Sequence, residues 1–463
     1  MTDYKTFLAS KHLHVERFGF EPMSINPKLF DWQQQIVRWA IKRGRAALWE
    51  DCGLGKGPQQ LEWASQVHNH TGGNILLLCP LAVSRQMIRE AAKFDIQSPI
   101  HLVDSQSGVK PGINVTNYEK LHLFDTESFV GVSADESGIL KSYTGATKRK
   151  LCQSFAKTQY RLACTATPAP NDRMELGNHS EFLSVMPSNE MLARWFINDS
   201  MAVGQYRLRK HGERDFWRWM SSWAVCISNP SDIGYPIGKY VLPKLNVHEH
   251  VIDSVGKEGF LFGVGEKISA TEVHREKRSV LGNRVAKIGE IIGSPKEKWV
   301  IWCDTDYEQD AIEKVFSKEQ YVSIRGRDTD NAKVDREEQW RTGSVPILIS
   351  KPEIFGYGVN WQHCRKLIWF VGYSYERFYQ AVRRCWRFGQ EYEVDAHVIA
   401  SESEQSIQDV IQWKQREHEE MKCEMAMAMR DGMMEELFGR RALKPANHQT
   451  EMIVPSWLFS KSA

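Results

Sequence analysis

Three short stretches carry residue types suited to handling a nucleoside triphosphate. In residues 48–58 (LWEDCGLGKGP), Gly53 and Gly55 flank Leu54 and free backbone N–H groups to turn toward a phosphate. Lys56 adds a full positive charge for the β and γ oxygens. A helical pattern follows over residues 59–67, so the loop also meets the partial positive charge of a helix N-terminus. Phosphate loops of the form GxGK[ST] end in a hydroxyl that holds Mg2+, and Gly57 stands at that place here. Asp135 and Glu136 close the apolar run 131–134, where one carboxylate could hold a metal and the next could polarise an attacking water. Arg384 and Arg387 lie one helical turn apart within residues 380–390, so both guanidiniums could converge on one γ-phosphate. Each stretch alone has an ordinary alternative: a turn before a helix, a solvated acidic pair, a basic helix face.

The elements around these residues must bring them together. Apolar runs at 74–79 (NILLLC), 113–116, 131–134 and 161–166 read as strands buried on both faces, each followed by polar or helical sequence. The pattern returns at 299–303 (WVIWC), 321–324, 345–350, 366–371 and 395–400. Two α/β domains in series, each a parallel sheet flanked by helices, is the economical reading. Between them, residues 171–240 are helical and aromatic in pattern, as in RDFWRWM at 214–220, and 229–243 is a Pro- and Gly-containing linker. After residue 421 the chain is Met-rich and then polar, a docking arm or a partly disordered tail.

A chain of 463 residues has room for two or three domains. A net charge of +2 leaves any nucleic-acid partner to local basic patches, such as 148–150 and 207–214. The nine cysteines show no metal-ligand spacing and read as buried thiols. The N-terminal stretch has no apolar leader pattern, and no apolar run approaches the ~18 residues that span a bilayer, so the expected setting is cytoplasmic.

The order of the three stretches resembles the superfamily 2 helicase and translocase core, and within it the SWI/SNF-type translocases of compact phage and prophage form. LFDWQQQ at 29–35 is similar to the family's adenine-reading segment, with Gln33 at the matching glutamine; LLLCPLAV at 76–83 resembles motif Ia. DESGILKS at 135–142 is similar to motif II, and TATPAPND at 165–172 to motif III. Residues 299–305, 356–362 (GYGVNWQ) and 380–390 (QAVRRCWRFGQ) resemble motifs IV, V and VI.

The resemblance implies two tandem RecA-like domains: 1–28 an extension, 29–170 the first domain, 171–240 a helical insert and linker, 241–420 the second domain, 421–463 a tail. It implies ATP and Mg2+ as cofactors, with Asp135 on the metal and Gln33, residues 53–57, Gly358 and Gln380 around the nucleotide. Lys56, Asp135, Glu136, Arg384 and Arg387 would be catalytic, while Thr165, Thr167 and Asn360 would couple nucleotide state to domain closure. Phosphates of a nucleic acid, expected to be double-stranded DNA, would meet Ser84, Arg85, Thr116, Asn117, Lys141, Ser142, Ser350 and Lys351. A monomer is expected, with a protein partner for the tail, in a bacterial or phage-infected cell. The function implied is an ATP-driven translocase on duplex DNA. An ATP-gated DNA clamp with little hydrolysis, and a strand-separating helicase on DNA junctions or RNA, stay open as alternatives.

The sequence departs from the family pattern at three places. Gly57 lacks the metal-binding hydroxyl, and on the motor reading Gly57→Thr would speed turnover. Ser137-Gly138 replace Ala-His at the end of motif II, removing the histidine that links it to motif III. Arg383 stands where motif VI has an acidic residue.

Overall fold

The computed structural model describes residues 15–141, 145–169, 172–198, 206–252, 278–355, 359–370, 375–401 and 405–439. Two parallel sheets organise them. The first has strands β1 (Arg45–Glu50), β2 (Asn74–Cys79), β3 (Ile100–Leu102), β4 (Ile113–Asn117), β5 (Phe129–Asp135), β6 (Tyr160–Thr165) and, after a small antiparallel hairpin of β7 (Phe196–Asn198) and β8 (Tyr206–Leu208), β9 (Ala224–Ile227). Its order is β3-β4-β2-β5-β6-β1-β9. The second comprises β10 (Leu245–Ile252), β11 (Trp299–Trp302), β12 (Tyr321–Ser323), β13 (Ile347–Ser350), β14 (Lys366–Phe370) and β15 (Val394–Ser401), in the order β10-β15-β14-β11-β13-β12. The chain is α/β, with two tandem RecA-like domains and a largely helical segment after the first.

The apolar runs explain the architecture. Ile75–Leu78, Ile301 and Leu348 are solvent-free because helices cover both faces of each sheet. The register sets the site. Trp49 pairs with Thr165 and Asp135 with Cys164, so β5, β6 and β1 end side by side at one sheet edge. Loops at the carboxyl ends of parallel strands are where such sheets bind ligands.

Two regions differ from the expected division. Residues 171–240 are not only helical: β9 pairs in parallel with β1 and closes the first sheet on that side. Its four residues follow a run of aromatics, too short to stand out from the helical pattern. Phe216, Trp219 and Met220 of the helix Glu213–Ser221 are buried, with Trp195 stacked on Trp219 at 4.6 Å. The second region is the Met-rich stretch, which lies in one helix, Gln405–Phe438. Met425, Met429, Met433 and Leu437 recur every fourth residue and are buried in the core of the first domain. The backbone N–H of Cys226 in β9 points to the Met433 sulfur at 3.3 Å.

Candidate nucleotide site and interdomain cleft

β1 ends at Glu50, the loop turns over residues 51–55, and the helix Lys56–Thr71 begins. Gly53 (φ 89°) and Gly55 (φ 83°) adopt the left-handed region that side chains disfavour. Space excludes side chains as well. A Cβ on Gly55 would lie 2.4 Å from the Gln33 amide nitrogen, and one on Gly53 would lie 2.9 Å from the backbone nitrogen of Phe388. Gln33 is buried; its Nε2 donates to the Leu54 carbonyl (2.8 Å) and its Oε1 accepts from Phe30 N–H (3.0 Å). Lys56 folds back into the loop and donates to the carbonyls of Glu50 (2.8 Å) and Asp51 (3.2 Å). The Gln59 amide holds one oxygen of the buried Glu50 carboxyl, and the other oxygen accepts no hydrogen bond. Burial pushes Glu50 up to about 7, against the opposing pulls of Lys56 and Gln59.

Asp135 is buried at the end of β5, where the Gln60 amide donates to Oδ1 (2.7 Å) and is itself oriented by the Ser133 hydroxyl (2.8 Å). Burial, and then the Glu136 carboxylate beside it, raise Asp135 above the ordinary range. Glu136 carries a positive φ of 52°, a strained setting for a non-glycine residue, and lines the cavity between the domains. Thr165 Oγ1 accepts from the Thr167 N–H (3.1 Å), a turn that ties the end of β6 to the next loop.

A buried histidine from a later helix lies between the loops that follow β5 and β6. His179, buried in the helix Leu176–Phe182, donates from Nε2 to the Pro168 carbonyl (3.1 Å), because a carbonyl can only accept. Its Nδ1 is then the acceptor facing the Ser137 hydroxyl at 3.5 Å. Burial lowers His179 to about 4, so it stays neutral near pH 7. The loops after β5 and β6 are thus joined by a histidine from outside both. No motif spacing marks it in the sequence; only the fold does.

In the second domain the helix Tyr375–Val382 ends before the arginines. The expectation that Arg384 and Arg387 share a helical face is corrected: tight turns follow Val382, and the two guanidiniums converge on the Val359 carbonyl, at 3.3 and 2.9 Å. Gln380 Oε1 accepts from Arg384 (2.7 Å). Arg387 lies beside Gly53, whose added Cβ would be 3.6 Å from the arginine Cβ. Burial, then Arg384, lower Arg387 to about 10.

Arg383, the departure in motif VI, reaches across the cleft. Its guanidinium donates to the Cys52 carbonyl (2.7 Å) and lies 3.4 Å from the Asp51 carboxylate. Asp51 also accepts from the Tyr379 hydroxyl (2.7 Å) and pairs with Lys422 of the C-terminal helix at 3.1 Å. Burial alone would raise Asp51; Arg383 and Lys422 outweigh it and hold the carboxyl below the usual range. An aromatic group closes the same side: Tyr240 stacks on Phe388 at 4.5 Å and meets Phe30 and Trp32 edge-on.

Among the described residues no cluster of three or more His, Cys, Asp or Glu could hold a metal alone. Magnesium on a triphosphate needs only one or two carboxylates beside phosphates and water. Asp135, with an orphaned buried oxygen of Glu90 nearby, fits that demand. Gly57 alters one expectation. A Cβ there would lie 2.1 Å from Glu90 Oε2, so Gly57→Thr requires the Glu90 carboxylate to move before the added hydroxyl can speed turnover.

The residues expected to meet nucleic acid are spread unevenly. Asn117 lines a cavity of about 690 Å³ between the domains, with Leu81, Lys120 and Glu136 on one side and Gly326, Lys333 and Phe355 on the other. Arg85 bridges that gap, donating to Asn331 (2.7 Å) and lying 3.4 Å from Asp335. Ser84 is turned onto the Leu81 carbonyl, Thr116 and Ser350 are buried, and Lys351 pairs with Asp306 at 2.8 Å. Asn360 is exposed and caps the Gln362 N–H. Lys141 ends a short 3-10 turn, Ser137–Lys141. Ser142 and Gly358 lie outside the described residues. Among the described residues, no helix is long and apolar enough to cross a membrane.

No family model matches the chain. Among curated proteins it is similar to "Putative protein p41" of Acyrthosiphon pisum secondary endosymbiont phage 1, at 22% identity over 410 residues, 76% of this chain and 87% of that protein. Among solved structures it is similar to the Sulfolobus solfataricus SWI2/SNF2 ATPase core in complex with dsDNA, at 17% identity and a TM-score of 0.42, covering 90% of this chain and 98% of that one.

Proposed function

We propose that the chain is an ATP-hydrolysing motor that moves along double-stranded DNA. The observation that carries this reading is the meeting of two distant stretches: the glycine loop of the first domain lies against the arginine turn of the second, with Gly53 on Arg387 and Phe388 and Cys52 held by Arg383. Lys56 and both converging arginines then face one ligand from opposite domains. Gln33 and the aromatic group of Phe30, Trp32, Tyr240 and Phe388 form the base end. Asp135 would hold the cation, and Glu136 would orient and deprotonate the attacking water. Arg384 and Arg387 leave the Val359 carbonyl to stabilise charge on the transferred phosphoryl group. Bound Mg2+ would neutralise phosphate charge.

Duplex DNA is the preferred track because the sequence resemblance is to the SWI/SNF branch. The test is phosphate release measured in parallel with no nucleic acid, single-stranded DNA, duplex DNA and RNA. Duplex stimulation is expected, together with triplex displacement without fork unwinding. Glu136→Gln should retain ATP binding and lose turnover by at least about a hundredfold. Equal inertness of wild type and Glu136→Gln with duplex DNA and Mg2+-ATP would sink the motor and leave the ATP-gated clamp; fork unwinding would favour the strand-separating helicase.

A further inference from the structure

We infer that Glu90 replaces the hydroxyl that Gly57 lacks and supplies a second carboxylate to the cation accompanying the nucleotide; the inference rests on reading the cleft as an ATP site. Glu90 lies on the helix Leu81–Lys93, outside the glycine loop and outside the catalytic acidic pair. Its Oε2 occupies the space where a side chain at position 57 would begin: an added Cβ would sit 2.1 Å from Oε2 and 3.2 Å from the carboxyl carbon. Nothing larger than glycine fits there while Glu90 keeps this position. The missing hydroxyl and the intruding carboxylate are two sides of one exchange.

The carboxylate is aimed rather than merely stored. Gln86 donates to Oε1 (2.8 Å) and fixes the group, while Oε2 is shielded from solvent and accepts no hydrogen bond. A buried carboxylate oxygen with no donor is costly unless a proton or a cation meets it, and burial does raise Glu90 above the ordinary range. The charge of Glu90 is felt by Asp135 and by Arg387, so the three groups share one neighbourhood. A triphosphate entering beside Lys56 would be repelled by Glu90 and Asp135 together. A hard divalent cation removes that repulsion, and Mg2+ accepts one or two carboxylates alongside phosphate oxygens and water.

The test measures binding of a fluorescent mant-ADP to the full chain with Mg2+ and with EDTA, together with the electron paramagnetic resonance signal of bound Mn2+. Wild type should bind more tightly with Mg2+. Glu90→Gln should lose at least about tenfold of that metal-dependent gain, the effect that even an outer-shell partner has at metal sites, with metal-free affinity unchanged or tighter. Gly57→Thr alone should bind Mg2+-nucleotide poorly; combined with Glu90→Ala it should regain metal dependence. This double variant also serves if Glu90→Gln proves too unstable to assay. A Glu90→Gln protein with an unaltered ratio between Mg2+ and EDTA, or one tightened equally in both, overturns the inference and makes Glu90 a plug. Absence of any nucleotide binding by wild type instead overturns the ATP site itself.

Discussion

At the scale of single residues, the cleft concentrates acids that folding removes from water. Glu50 carries the clearest consequence. Its value rises from 4.5 to about 7, so between these limits the folded chain keeps a proton that the unfolded chain releases. The contribution of Glu50 to stability is therefore greatest below about 4.5 and declines as pH rises toward 7, a direction that the raised Asp135 shares. The melting temperature of the nucleotide-free protein should fall across that window, and Glu50→Gln should flatten the fall; an unchanged slope would contradict the assignment. Asp51 does not confuse the result, because its lowered value places its own loss of stability on the acid side. Legibility divides along the same line. Gln33, Lys56 and Asp135 stand out as candidates in the sequence because the chemistry proposed for them depends on neighbours in sequence. Arg383 reads as a defect in its motif, yet it is the residue that reaches Asp51 and Cys52 across the cleft. His179 and Glu90 belong to no motif; they matter because of what the fold sets beside them.

At the scale of elements, buried apolar runs announced most of both sheets, whereas short pieces at their edges escaped. β9 is four residues long, and β10 is an edge strand interrupted by the polar run His248–His250, with His248 and Glu249 exposed. The helix Gln405–Phe438 is the instructive case. Its methionines recur at a spacing that marks one face, but sequence alone does not say whether that face meets another protein or this one. The first domain's own sheet and the helix Glu213–Ser221 cover it, and a Cβ added to Gly432 would lie only 2.0 Å from Ser221 Oγ. Met433→Ala should therefore cost roughly 2–5 kcal/mol, the usual range for an emptied core site. Met427→Ala on the exposed face should stay within about 0.5 kcal/mol. Denaturant melts of the two variants separate a structural helix from a loosely docked arm.

At the scale of the whole molecule, the two domains touch through groups of unequal strength. The Arg383–Asp51–Lys422 cluster is largely shielded, while Arg85 meets Asp335 and Asn331 at the mouth of the cavity, where water competes. An exposed pair of that kind contributes at most about 1 kcal/mol. Asp335→Ala should leave the melting temperature nearly unchanged yet tighten duplex binding, with the salt dependence steepened by roughly one ion as Arg85 becomes available to a phosphate. Weaker binding by this variant would assign Arg85 to holding the domains together. The chain passes between the two sheets twice, once from β9 to β10 and again from β15 into the helix that ends on the first domain. A body joined to another at two separate points loses most of its freedom to tumble or slide and keeps chiefly a swing about the line joining them. On the motor reading, an opening of the cleft should follow a restricted path and return the same arginines to the same glycine loop.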